Sequence, residues 1–325
     1  MQPQNFLAGY NPNELRLLEI FHPYAYKKTA LAFTSQARFA HYTSADTAMR
    51  IIQGEEVWMR KSTCMNDFME IEHGFECLNA AYKEHKERFA EIFESIFPDF
   101  CVKVEERFNA WLPVFRNGTF ISCISEHDAT EDRVGRLSMW RAYGGSAGVA
   151  IVLKGSPLIN PTDALEAYTS PVAYQSKNDF SHSFGLFLDG LQRYEPLIRK
   201  LGEDQVLAHM FEVFRMATLC TKHPGFAEER EWRIIYSPSF RESARIKADI
   251  QSIGGVPQKI FKIPLKDVPE QNLVGIELGE FIDSIIVGPT QFPSEIKEAL
   301  AALLESKGVE KARDRIVISD IPLRN

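Results

Sequence analysis

The stretch FIDSIIVGPTQFPSEIKEALAALLESKGVEKARDRIVISDIP, residues 281–322, decides the fold class. FIDSIIVGP is a short apolar run rich in β-branched residues, as a strand requires. PSEIKEALAALLESKG repeats apolar residues at helical spacing, with Ser294 placed to cap the helix and Gly308 to end it. DRIVISDIP returns to the strand pattern. A strand, helix and strand in this order predict one βαβ unit with two parallel strands.

Upstream of this unit the elements do not alternate regularly. ARFAHYTS (37–44) reads as a strand, ADTAMRIIQGE as a helix that Ser44 and Asp46 can cap and Gly54 closes, and EVWMRKS as the next strand. TFISCISE and KIFKIPL also read as strands. GVAIVLKG is a continuous apolar strand, which places it in the centre of a sheet. SPVAY is a further short strand, and LSMWRAYGG a short helix. The chain is therefore α+β, with a mixed central sheet, long helical insertions and the C-terminal βαβ unit. Residues 1–36 form a helical lead-in to a single domain, 37–325, whose insertions lie at about 70–117 and 183–221.

The 325 residues are 45% hydrophobic and 25% charged, ample for a core. A formal net charge of -7 argues against a general nucleic-acid coat. Cys64, Cys77, Cys101, Cys123 and Cys220 stand singly, with no zinc spacing. The start of the chain lacks a signal-peptide pattern, and no window is apolar enough for a membrane span. These features predict a cytoplasmic protein away from the membrane, with no metal.

Four segments offer chemistry. HYTS places His41 at a strand end and a helix mouth, where ligands of mixed sheets tend to sit. NDFME offers Asn66, Asp67 and Glu70, read as a cap and first-turn carboxylates that tie a loop to its helix. SMWRAYGG sets Arg141 between Trp140 and Tyr143, either a fork for phosphate beside stacking rings or two core aromatics beside a paired Arg. EEREWR (228–233) runs three carboxylates into a strand. Read as strand, Glu229 and Glu231 share one face, where they repel unless they meet water, a cation or a substrate. Two readings compete there: a salt-bridged edge built on Arg230 and Arg233, or a carboxylate held to steady a developing cation.

Taken in order, HYTS, the Trp and ND…E, WRAYG before GVAIV, EREWR, and IIVGP with SDIP resemble a large, mostly bacterial family known only as a domain of unknown function. The resemblance spans about residues 39 to 323, and some members resemble abortive-infection proteins of phage defence. The chain is also distantly similar to ADP-ribosyltransferases. On that resemblance His41 takes the first-strand position, Glu229-Arg230-Glu231 the Glu-x-Glu pair, and HPGF, ending at Phe226, the preceding turn. Ser62 and Thr63 fit the middle position by place and Tyr143 by residue type; the long insertion after residue 70 departs from the compact pattern.

The resemblance implies an NAD-consuming transferase or NAD glycohydrolase, a toxin or phage-defence effector with a protein or nucleic-acid acceptor. Glu231 would stabilise the sugar cation, Glu229 orient the acceptor, His41 position the ribose and Arg141 hold the pyrophosphate. Two further readings stand beside it: a non-catalytic sensor or antitoxin-like interaction module, and a metal-dependent nuclease using Asp67, Glu70 and Glu231. The first expects His41, Arg141 and Glu231 in one cleft.

Overall fold

The computed structural model describes residues 12–64 and 69–322, the side chains of residues 69 and 70 excepted. Helices α1 (Pro12–Phe21) and α2 (Pro23–Thr34) lead into β1 (Arg38–Ser44), α3 (Ala45–Gly54) and β2 (Glu56–Lys61). Helices α4 (Met69–Glu84), α5 (Lys86–Glu94) and α6 (Phe100–Gly118) precede β3 (Phe120–His127). One helical turn, α7 (Leu137–Met139), runs into a π-turn at Trp140–Gly144, then β4 (Gly148–Lys154), α8 (Ser156–Ile159), β5 (Ala167–Pro171) and β6 (Ala173–Tyr174). Helices α9 (Lys177–Arg193), α10 (Glu195–Leu201) and α11 (Glu203–Leu219) are followed by β7 (Thr221–Lys222) and β8 (Glu231–Tyr236). The hairpin β9 (Lys247–Ile253) and β10 (Val256–Pro264) comes next, then α12 (Leu278–Phe281), β11 (Ile282–Val287), α13 (Pro293–Ser306) and β12 (Ile316–Ile318).

The fold is the mixed α+β class expected. A ten-stranded sheet has the path β12-β11-β4-β1-β3-β2-β10-β9, with β8 on β3 and β5 on β8. The closing β11 and β12 pair in parallel, as the βαβ pattern requires. All of β4 except Lys154 is buried, which its unbroken apolar run anticipates. Ser44 caps α3 by accepting from the Thr47 amide.

Local readings fail where turn chemistry rules. Ser294 is not the cap of α13, because Pro293 with its fixed φ starts the helix one residue earlier. Glu55, not Gly54, takes the left-handed turn after α3, at φ 51°. SPVAY splits between β5 and β6, and β9 was not anticipated.

Strand β3 holds the key to the site. Its residues Phe120 to Ser125 pair with β8 on one edge. The other edge is shared: Ser125 to His127 pair with β1, and Phe120 and Ile121 with β2. Between them the two neighbours diverge, leaving a gap in the ladder at residues 122–124.

Two large apolar cores dominate the described residues, beside two smaller clusters. One face of the sheet carries Phe39, Ile151, Trp232 and Ile234 against α3 and α13. Helices α4 to α6 and α9 to α11 pack on each other around a phenylalanine-rich second core that includes Phe89, Phe100 and Phe214. No helix among the described residues is long and apolar enough to cross a membrane.

Candidate functional site

The Glu-rich stretch that led into the strand is not strand throughout. Residues Pro224–Glu229 form a 3-10 turn, Arg230 turns left-handed at φ 46°, and β8 begins only at Glu231. Alternation therefore does not bring Glu229 and Glu231 together; the turn does. Arg136, buried in the loop before α7, donates to the carbonyls of Glu228 and Glu229 at 2.9 and 3.0 Å and holds the turn. Arg230 pairs with Asp128 and Glu131, which offsets its unfavourable backbone.

Both carboxylates close on one ammonium. Lys222 Nζ stands 2.5 Å from Glu229 Oε2 and 3.2 Å from Glu231 Oε2. Arg233 Nε donates to Glu231 Oε1 at 2.8 Å, and its Nη1 to the Leu219 carbonyl. The Tyr143 hydroxyl donates to Glu229 Oε1 at 3.2 Å, and Tyr174 OH accepts from the Glu231 amide at 2.7 Å. Lys222, Glu231 and Arg233 are buried. Burial alone would raise the Glu231 carboxyl, but the Arg233 and Lys222 charges outweigh it and hold the group at about 2. Burial, reinforced by Glu229, keeps Tyr143 a protonated donor. Among the described residues, two anions thus face two cations.

His41 does not join it. The register sets Ser125 opposite both Ala40 and Glu231, so Ala40 shares a face with Glu231 and His41 points to the other. Ala40 and Tyr42 indeed pack with Met139 and Trp140, whereas His41 lies opposite Ile151 of the other core. The single cleft expected for His41, Arg141 and Glu231 is therefore not formed. Arg141 is exposed on the π-turn and makes no hydrogen bond or ion pair with any described residue. Ser62 is buried at the opposite end of β3, where its hydroxyl donates to the Arg116 carbonyl at 3.2 Å. Asn66 and Asp67 lie outside the described residues, as does the Glu70 side chain. Among the described residues no three His, Cys, Asp or Glu side chains could share a metal ion.

On its own face His41 fills the gap in the ladder. Its Nδ1 lies 2.9 Å from the Cys123 carbonyl. A carbonyl can only accept, so Nδ1 carries the proton. Burial lowers the pKa of the ring despite this bond, so it is neutral and Nε2 keeps a lone pair. His41 lines a cavity of about 810 Å³. Its walls include Ile124 and Ile151 from the sheet, Leu17 from α1, Tyr26 from α2 and Met216 from α11. The volume falls in the range of small-molecule sites, roughly 300–1,000 Å³.

Sequence reading missed Lys222, which stands alone in LCTKHPGF and meets its partners only across the turn. It also missed His22, His209 and Glu212, which line the cavity. The one signal for the last was the i, i+3 spacing of Glu212 and Arg215, which pair at 2.6 Å.

His22 has a consequence for pH. Burial, with the nearby His209 and Arg215, lowers its pKa from 6.5 to about 4, against the pull of Glu212. The fold therefore holds the neutral ring, while the unfolded chain takes up a proton first as pH falls. Stability should be complete above about pH 6.5 and decline toward pH 4, so that at pH 5 it is up to about 2 kcal/mol lower than at pH 7.5. Urea midpoints at the two pH values measure this. His22→Phe should shrink the difference, and an unchanged difference would place its origin elsewhere.

Residues 139–234 match the family model described as a protein of unknown function, DUF2971. The matched span contains Tyr143, Tyr174, Lys222, Glu229, Glu231 and Arg233 and excludes His41 and Ser62. No curated protein and no solved structure matches the chain.

Proposed function

We propose that the protein is a non-catalytic sensor that binds a small molecule in the cavity between α1, α2 and the sheet. The observation that carries this reading is the cavity itself, about 810 Å³ of mostly apolar space with a few polar groups turned into it. The motif residues on the opposite face hold the fold: a carboxylate already shared by an ammonium and a guanidinium has little charge left for a sugar cation.

Uptake of Nile red, an uncharged apolar dye, tests the reading by fluorescence titration. Saturable one-to-one binding is expected. Ile151→Phe, or Thr29→Trp on the helical wall, should reduce it at least ~10-fold while circular dichroism shows the fold retained. Dye uptake that does not saturate, or that both folded variants leave unchanged, would overturn it.

One observation favours a second reading, an NAD-consuming ADP-ribosyltransferase or glycohydrolase acting in phage defence: Glu229, Glu231 and Tyr143 do meet, at Lys222. It requires substrate to draw Lys222 or Arg233 away from Glu231. Nicotinamide release from NAD⁺, measured with and without cell extract as a source of acceptor, tests it.

A further inference from the structure

The charges around the cavity restrict what it can hold. No lysine or arginine lines it among the described residues; the ionisable acids in its wall are Glu14, Asp163 and Glu212. Glu212 is engaged by Arg215, with a 2.6 Å hydrogen bond from Nη2. Asp163, at the rim, accepts from Tyr168 at 3.0 Å. The nearest guanidinium there, Arg241, is 3.9 Å from Asp163 but is held by Glu166 at 2.7 Å.

The histidines add no positive charge. Burial lowers the pKa of His22, His41 and His209 alike, so all three are neutral at pH 7. His41 presents an acceptor, because Nδ1 is committed to the Cys123 carbonyl and Nε2 has no hydrogen bond to any described residue. An anion entering this space would lose its hydration, meet no cation among the described residues and face carboxylates. A hydrogen-bond donor would meet an unused lone pair.

We infer that, if the cavity is the ligand site proposed above, its ligand is an apolar molecule that carries a hydroxyl or amino donor and no negative charge. The His41 Nε2 lone pair accepts the donor, and the aliphatic walls take the body. Carboxylates, phosphates and dinucleotides are refused, since no described residue of the wall offers a cation.

Three probes of one chain length separate these possibilities: decan-1-ol, decylamine and decanoate, titrated calorimetrically against the full chain at pH 7.5 below their critical micelle concentrations. The alcohol and the amine should bind at least ~10-fold more tightly than the acid, the scale of one hydrogen bond kept against one charge left unpaired. His41→Leu removes the acceptor and should weaken decan-1-ol about tenfold. If that variant fails to fold, the comparison of the three probes on the native chain decides alone. Decanoate binding as tightly as decan-1-ol would overturn the inference, as would Nile red uptake without binding of any of the three. Failure of the dye and all three probes together would instead overturn the cavity as a ligand site.

Discussion

Glu231→Gln should lower the stability of the protein by about 3–5 kcal/mol, the usual cost of removing one partner from a buried ion pair. The substitution keeps the volume of the side chain. It takes from Arg233 and Lys222, both with side chains 2% exposed, a carboxylate that each of them contacts. Glu229→Gln should cost less, about 1–2 kcal/mol, because Lys222 then retains Glu231 and the Glu229 side chain is already 14% exposed. Urea denaturation at pH 7.5 measures both. The pH dependence carries the same signature. The Glu231 carboxyl is depressed from 4.5 to about 2, so its contribution is present above pH 4.5 and is lost as pH falls toward 2. Glu231→Gln should abolish that part of the acid transition. A variant as stable as the wild type, yet lacking a nicotinamide-releasing activity that the wild type shows, would sink the structural assignment and restore Glu231 as a catalytic group.

Trp140→Ala should cost about 3–5 kcal/mol, the range for deleting a large buried aromatic. Trp140 is 2% exposed, meets Tyr42 edge-on at 4.9 Å and donates from Nε1 to the Val134 carbonyl at 2.8 Å. Two glycines make room for its ring. A Cβ at Gly288 would stand 2.8 Å from Trp140 Cε3, and one at Gly135, where φ is +66°, 2.5 Å from Cζ2. The tryptophan of WRAYG and the glycine of IIVGP are thus two halves of one packing contact, and Gly288→Ala should destabilise for the same reason. The neighbouring Arg141→Ala should change stability by no more than about 0.5 kcal/mol, since that side chain is exposed and without a partner among the described residues. Thermal denaturation of the three variants tests the contrast. Equal losses for Trp140→Ala and Arg141→Ala would show that Arg141 has a structural partner of its own.

The elements themselves were legible in the sequence wherever one local period dominates. GVAIVLK became a buried strand, the 293–306 helix separated two parallel strands, and Ser44 capped its helix. These outcomes depend on contacts within a few residues and on burial, which composition already signals. The site was decided elsewhere. His41 and Glu231 belong to opposite faces because side chains alternate at a period of two and the pairing register sets the phase. No stretch of local sequence contains that register. Glu229 reaches Lys222 through a 3-10 turn and a left-handed Arg230, not through strand alternation. The cavity exists because α1, α2 and α11 meet the sheet where β1 and β2 part from β3, which joins residues far apart in the chain. Local patterning determined which segments are strands and helices. Only the long-range packing of those segments decided which charges meet and which histidine lines the cavity.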